Sequence, residues 1–264
     1  MISNRVKTAL KQGQVQVGTW VTTLGVPQMP VVLASAGFDF IYLDMEHSSF
    51  SIETIGGMCA AALGRGLVPI VRPPAKEPHL LTRPLEAGAL GLLIPHVDTP
   101  EEASAAVKAT KFPPMGERGF NVQTVHTGFT MTDPQEFASA SNAGTLLIVQ
   151  IESDRGIRNL DGILGIDGID GAVVGRGDLS ADLGVFGQTK HPEVIRRVET
   201  MIQACHQHGK FAGLLVPDLA SAKEWIEKGI RLVPFSNDVT LLISAAAKAI
   251  GEIRTYGRTK VVPG

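Results

Sequence analysis

Leu146-Leu147-Ile148-Val149-Gln150-Ile151-Glu152 is an uninterrupted apolar run that closes on a carboxylate. Gly168-Ile169-Asp170-Gly171-Ala172-Val173-Val174-Gly175-Arg176-Gly177-Asp178 repeats the pattern. A strand buried on both faces reads as continuous hydrophobicity, so Glu152 and Asp178 fall where two consecutive strands stop. In a parallel α/β architecture, ligands and metals sit at the carboxyl ends of the strands. Taken singly, either residue reads equally well as a surface carboxylate capping the next helix. Taken together, two hard oxygen donors at equivalent positions point to a divalent cation of the Mg²⁺ or Mn²⁺ kind.

Outward from this pair, further strand-like runs occupy 15–20, 38–44, 68–72, 91–97, 211–216 and 232–236, which makes eight with 145–152 and 168–175. Between them lie stretches of helical spacing at 27–36, 52–63, 101–110, 157–164, 192–208, 219–228 and 239–250. Thr99-Pro100-Glu101-Glu102 opens one of these with a capping hydroxyl, a first-turn proline and acids that suit the helix dipole. Gly37, Gly88, Gly209 and Gly229 close others in the manner of a left-handed cap. Eight βα units in 264 residues define an α/β chain of the (β/α)8 TIM-barrel type, a single domain over 1–264 with a C-terminal arm at 254–264. A doubly wound open sheet is the competitor. The even spacing and the lack of a dinucleotide fingerprint favour the closed barrel. Segment 111–142 is too long for a structureless connection, and is expected to be functional or to contain its own helix.

Composition narrows the function classes. Hydrophobic residues at 44%, charged residues at 19% and a formal net charge of −2 describe a globular chain without a nucleic-acid footprint. Lys and Arg are spread along the chain, so no basic groove for a polyanion or a coenzyme's phosphates is expected. Cys59 and Cys205 fall in helical stretches and read as buried, reduced thiols. The first sixteen residues lack the apolar core of a signal peptide, and no apolar run reaches the ~18–20 residues that cross a bilayer. The expectation is a cytoplasmic protein with neither a nucleic acid nor a membrane as partner.

Reading each strand end for polar groups gives a dense rim. Trp20 ends the first strand. Asp44 ends the second, followed by Met45-Glu46-His47. Arg72 ends the third, Pro95-His96 the fourth, Gln150 and Glu152 the fifth, and Arg176-Gly177-Asp178 follow the sixth. Arg72 offers a planar fork for a carboxylate or a developing enolate oxygen; a structural ion pair across the mouth is the other reading. His47, near Asp44 and Glu46, is the foremost histidine for proton transfer near neutral pH, with His96 next because it too follows a strand. Gly175 and Gly177 leave room for backbone N–H groups to approach an anion.

These residues, in this order, resemble the metal-dependent class II pyruvate aldolases of the HpcH/HpaI family, which act on 2-oxo-3-deoxy acids or 2,4-dihydroxyhept-2-ene-1,7-dioate. The landmarks are Gly18-Thr19-Trp20, Ala36-Gly37-Phe38-Asp39, Asp44-Met45-Glu46-His47, Val71-Arg72-Pro73, Gln150-Ile151-Glu152 and Gly175-Arg176-Gly177-Asp178-Leu179-Ser180. The likeness spans nearly the whole chain, and Arg-Gly-Asp-Leu is also similar to the metal-binding region of pyruvate kinases. The resemblance implies a barrel of the phosphoenolpyruvate/pyruvate superfamily that cleaves a 4-hydroxy-2-oxo acid reversibly to pyruvate and an aldehyde. It implies that Glu152 and Asp178 bind the metal (Mg²⁺ or Mn²⁺, with Co²⁺ or Zn²⁺ as further choices), and that Arg72 stabilises the enolate. It further implies that His47 moves a proton with support from Asp44, that Gln150 lines the pyruvate site, and that Trp20 shapes the pocket. Glu86 takes the place of an acid, usually Asp, that a neighbouring subunit lends to the histidine. A homo-oligomer, a hexamer with the last helix exchanged, is also implied. Arg176-Gly177 departs from the Pro-Ala or Pro-Asn pair of many members, and either contacts a charged substrate or pairs with a rim carboxylate. No Lys ends a strand, which disfavours a Schiff-base route. Another metal-enolate lyase or synthase, acting on an acyl-CoA or in the manner of macrophomate synthase, is the first alternative; a non-catalytic carboxylate-binding barrel is the second.

Overall fold

The computed structural model describes residues 3–259. Its strands are β1 (Gln16–Val21), β2 (Phe40–Asp44), β3 (Val68–Arg72), β4 (Gly91–Ile94), β5 (Leu146–Ile151), β6 (Gly171–Val174), β7 (Phe211–Gly213) and β8 (Ile230–Asn237). Each pairs in parallel with the next and β8 returns to β1, closing the barrel in sequence order. The helices are α1 (Arg5–Lys11), α2 (Gln28–Ser35), α3 (Ile52–Leu63), α4 (Pro78–Glu86), α5 (Pro100–Thr110) and α6 (Pro134–Gly144). They continue with α7 (Asp154–Arg158), α8 (Leu160–Leu164), α9 (Arg176–Asp182), α10 (Pro192–Gln207), α11 (Leu219–Glu227) and α12 (Asp238–Thr259). All eight strand readings correspond to observed strands. Of the C-terminal arm, 254–259 belongs to α12 and 260–264 lies outside the described residues. Among the described residues no helix is long and apolar enough to cross a membrane.

Side-chain parity builds two separate cores, because successive residues of a strand point to opposite faces. Phe40, Tyr42, Val68, Ile70, Leu146, Ile148 and Val173 fill the barrel interior, where Val6 and Leu10 of α1 join them. Ile41, Leu43, Val71, Leu92, Leu147, Val149 and Val174 point the other way, into the layer between sheet and helices. Glycines on the interior face make room for the aromatic rings: a Cβ at Gly18 would overlap the Phe40 ring. Carried one step further along each strand, the inward parity delivers Asp44, Arg72, Gln150 and Glu152 to the mouth.

The helix signals act as the residue types predict. Thr99 and Glu102 form a reciprocal capping box at the start of α5. Gly37, Gly88, Gly209 and Gly229 all take positive φ. Segment 111–142 holds a short 3-10 turn (Val125–Thr127) and most of α6, and Phe112, Phe120 and Phe137 pack on one another as a satellite cluster. Cys59 in α3 and Cys205 in α10 are buried and free, and burial pushes the Cys205 thiol up to about 12. Two helices, α1 and α9, have no counterpart in the sequence reading, and of α4 only the closing Gly88 does.

One buried carboxylate ties the ends of the barrel seam together. Asp238 Oδ2 accepts from the backbone of Thr23 (3.1 Å) and Leu24 (2.8 Å), while Oδ1 accepts from Thr22 Oγ1 (3.2 Å) and Val239 N (3.0 Å). The loop after β1 is thereby fixed to the start of α12. Asp238→Asn turns one acceptor into a donor facing these N–H groups, and is expected to lower stability by about 2–3 kcal/mol. Urea unfolding should register this as a lower midpoint at unchanged slope.

Candidate active site

Asp44 and Arg72 stand opposite one another in the β2–β3 register. Arg72 Nε donates to Asp44 Oδ1 at 2.9 Å and Nη2 to Asp44 Oδ2 at 2.6 Å, a bidentate pair with both residues buried. Arg72 Nη1 lies 3.0 Å from Glu46 Oε2, and the guanidinium carbon sits 4.5 Å from the centroid of the Trp20 ring. Asp44 Oδ1 also accepts the backbone N–H of Glu46 (3.0 Å) and of His47 (3.3 Å), and Ser48 Oγ donates to the Asp44 carbonyl. One carboxylate therefore orients the cation and shapes the loop that follows β2.

Across the mouth, Glu152 is buried and accepts three contacts. Gln150 Nε2 donates to Oε1 at 2.7 Å, the His96 backbone N–H donates to Oε2 at 3.2 Å, and His96 Nδ1 is 3.2 Å from Oε2. Burial raises the Glu152 carboxyl to about 7, and the charges of Asp178 and Glu46 push the same way against the opposing pull of His96. Gly175 is the last interior position of the sixth unit, and a Cβ there would overlap the Glu152 carboxylate. Asp178 lies in the first turn of α9 and is exposed.

His96, the second histidine candidate of the sequence, and Glu46, named there only as a neighbour of His47, join the two halves of the site. His96 Nε2 is 2.9 Å from Glu46 Oε1, so the imidazole bridges Glu46 and Glu152. Its backbone is left-handed, at φ 52°, a conformation that costs a non-glycine residue about 1–3 kcal/mol. Lys76 Nζ, itself 2.6 Å from Glu102, holds it there by donating to the His96 carbonyl at 2.7 Å.

The remaining sequence-derived residues sit at varied distances from this centre. His47 is on the rim, 62% exposed, with Nε2 3.8 Å from Glu46 Oε2. Arg176 opens α9 rather than a glycine loop, and its Nη2 donates to the Leu215 carbonyl at 2.7 Å; Gly177 beside it is exposed. Glu86 is elsewhere: it ends α4, near the opposite end of the barrel, where its Oε1 accepts from Arg118 Nε (3.1 Å) and Nη2 (2.5 Å). Within one chain Glu86 and His47 are therefore on different faces.

The donor set fits a divalent cation. Two acids and a third, Glu46, raise one another's negative potential around a carboxyl that burial already disfavours as an anion, and a cation relieves that repulsion. Gln150 Oε1, Trp20 Nε1 and Tyr42 Oη are buried without a partner, leaving polar groups to meet a ligand. Among the described residues no three His, Cys, Asp or Glu side chains form a self-sufficient metal cage. A cation on Glu152 and Asp178 would keep most of its coordination open, the condition for binding substrate.

Barrel closure, with acids and a fixed guanidinium at the carboxyl ends, defines a TIM barrel, and its family and relatives make it a carbon–carbon lyase. The HpcH/HpaI aldolase/citrate lyase family model matches residues 16–245, and the chain belongs to that family. A 5-keto-4-deoxy-D-glucarate aldolase of Escherichia coli is 38% identical over 245 residues, covering 93% of this chain and 94% of the relative. An HpcH/HpaI aldolase of Desulfitobacterium hafniense superposes with a TM-score of 0.89 at 31% identity, over 98% of this chain and 97% of that one. An HpcH/HpaI aldolase/citrate lyase family protein of Burkholderia cenocepacia gives 0.89 at 34%, over 96% and 100%.

The Glu152 carboxyl sets a pH dependence for the metal-free chain. Its folded value of about 7 lies above the unfolded carboxylate value of about 4.3, so the folded state holds the extra proton between them. The associated stability is fully present below about 4.3 and is lost as pH rises through about 7. Thermal melts with chelator should therefore show a decline in midpoint across that window, and Glu152→Gln should flatten it.

Proposed function

We propose that the protein catalyses reversible aldol cleavage of a 4-hydroxy-2-oxo acid to pyruvate and an aldehyde, with a divalent metal held by Glu152 and Asp178. The observation that carries this reading is the opposition, across one mouth, of an acid pair short of a cation and a guanidinium fixed on Asp44. An enolate's precursor needs both: an electrophile at its oxo and carboxylate oxygens, and a second cation where negative charge develops. The family and the 5-keto-4-deoxy-D-glucarate aldolase relative support it, since that relative's name describes an aldolase of an oxo, deoxy sugar acid.

When bound, Mg²⁺ or Mn²⁺ supplies Lewis-acid polarisation of a 2-oxo group. Arg72 then presents a charge that needs no reorganisation, because Asp44, Glu46 and Trp20 already hold the guanidinium on three sides. Gln150 donates to Glu152 Oε1 and so fixes which carboxylate edge faces the ligand. His47 carries a proton at its exposed imidazole, between substrate and solvent. Arg176 and Gly177 border the aldehyde side of the mouth. None of these steps requires an amine. Lys76, a lysine at the mouth, is held by Glu102 and the His96 carbonyl.

Glu86 enters this scheme across a subunit boundary. Arg118 occupies its Oε1, and a neighbouring copy's His47 can meet the other oxygen. An assembled enzyme, a hexamer on the family's pattern, also accounts for α12, which exposes Leu242, Ile243, Ile250 and Ile253 to solvent in one chain. We place this assembly in the cytoplasm.

Proton exchange at the pyruvate methyl in deuterium oxide, with Mg²⁺ or Mn²⁺ and no aldehyde, tests the enolate directly; absence of exchange with every metal tried would refute it. A panel of aldehydes with pyruvate then reads the aldol step. Arg72→Lys cannot reproduce the bidentate grip and is expected to lower turnover by about 10²–10³-fold. Asp178→Asn should weaken Mg²⁺ and Mn²⁺ binding by at least about tenfold in calorimetric titration while the chain stays folded.

A further inference from the structure

The end of the barrel opposite the catalytic mouth carries a second concentration of charge. Lysines and arginines that are scattered along the chain are gathered there by the fold, contrary to the expectation of no basic groove. Two adjoining cavities of about 820 and 970 Å³ share Lys7, Lys11, Gly168 and Asp170 on their common wall. Lys210 and Arg231 line the first, Lys111 and Arg118 the second. Asp170 is the single carboxylate among the residues lining either one.

That carboxylate is already engaged. Asp170 Oδ2 accepts from Lys7 Nζ at 2.9 Å and from the Leu147 backbone N–H at 2.9 Å. Lys111 Nζ donates to the carbonyls of Asn142 (2.7 Å) and Thr145 (2.9 Å), and Lys7 Nζ shares the Thr145 carbonyl at 2.8 Å. Lys210 Nζ donates to the Ile169 carbonyl at 2.7 Å, and Arg231 Nη1 to the carbonyls of Ile226 (3.0 Å) and Ile230 (2.9 Å). Among the described residues, none of Lys11, Lys111, Lys210 and Arg231 has a carboxylate within ion-pair distance. Burial lowers Lys7, and it pulls Lys111 down to about 7 with the positive charge of Lys7 adding to the effect. Burial is the leading cause for both, and the Asp170 carboxylate offsets it only in part.

We propose that these cavities form a binding site for a polyphosphate anion, of the nucleoside di- or triphosphate class. The cations without carboxylates lie along the walls of two joined cavities, so several negative charges on one extended ligand suit them better than a single carboxylate. The larger cavity adds an apolar wall of Phe112, Pro114, Met115 and Phe120, of which Met115 is 44% and Phe120 54% exposed. A planar base has a surface there, with its phosphates towards Lys7, Lys11 and Lys210. The site lies before β5 and β6, at the end of the barrel away from the same chain's Arg72 and Glu152, so its ligand is an effector or a tether and not a substrate.

Calorimetric titration of the full chain, without added divalent metal, with ADP and separately with inorganic pyrophosphate tests this. One equivalent per chain is expected, with affinity falling as salt is raised. Lys11→Glu combined with Lys210→Glu should weaken both ligands at least tenfold. Lys11→Glu alone, at an exposed position that leaves the fold intact, should weaken them at least threefold. Asp178→Asn should leave both affinities unchanged, separating this site from the mouth. Tighter binding of ADP than of pyrophosphate, with the difference removed by Phe120→Ala, marks a nucleotide as occupant. Equal affinities mark the polyphosphate group alone. No binding of either ligand, or unchanged affinity in the charge-reversed variants, overturns the proposal.

Discussion

The bidentate pair between Asp44 and Arg72 is the interaction on which the mouth depends. Burying a guanidinium at the top of a packed barrel costs several kcal/mol unless its donors are met, and breaking a buried pair costs about 3–5 kcal/mol. Here the two residues lie opposite in register, so β2 and β3 bring them together without a loop having to be ordered. The same Asp44 oxygen that holds Nε also receives the N–H groups of Glu46 and His47. The guanidinium of Arg72 and the loop that bears His47 are therefore held by one carboxylate, and neither can be altered without the other.

Glu152 follows the opposite logic. Asp44 is neutralised by its partner; Glu152 is left with an imidazole, an amide and two neighbouring acids. A chain selected for stability alone would not leave a buried carboxyl so disposed towards a proton, because burial without a counter-charge is costly. The arrangement makes sense as a receptor for positive charge. Gly175 is part of it, since any side chain at that inward position would expel the carboxylate from the place it occupies. His96 spans the gap between the two regimes in a strained backbone conformation, one imidazole nitrogen on each acid.

Much of this was legible in the sequence because a strand's alternation is rigid. Once 146 and 148 are interior, 150 and 152 must be; once 40 and 42 are interior, 44 must be. The eight-fold count and the capping box at Thr99 rest on equally local rules. What escaped notice depends on non-local geometry. α1 has too few apolar residues to declare itself, and is held by plugging the barrel floor with Val6 and Leu10. Arg176-Gly177-Asp178 reads as a stretch that follows a strand and offers backbone N–H groups, and its two flanking glycines hid that it starts α9. His96 gave one signal, its place after a strand; its reach to Glu46 comes from a loop that no periodicity describes. Spacing along the chain likewise hid the basic cavities, whose cations come from α1, the end of α5 and the segments flanking β7 and β8.

The net charge of −2 thus conceals a polarised molecule. At the carboxyl ends of the strands, carboxylates outnumber the cations that could neutralise them. At the amino ends, Lys11, Lys111 and Lys210 line cavities in which Asp170 is the single lining carboxylate. In a single-layered barrel these two ends are separated by the interior core, where Phe40, Tyr42, Ile70 and Ile148 exclude water and weaken screening. Such a separation is unfavourable as self-energy at each end, and ligands of opposite sign relieve it beyond what solvent and salt provide. On the function and the anion site proposed above, the fold pre-arranges for a cation at one mouth and an anion at the other. Each would also steady its own end: the cation by lowering the Glu152 proton affinity, and the anion by restoring charge to Lys111.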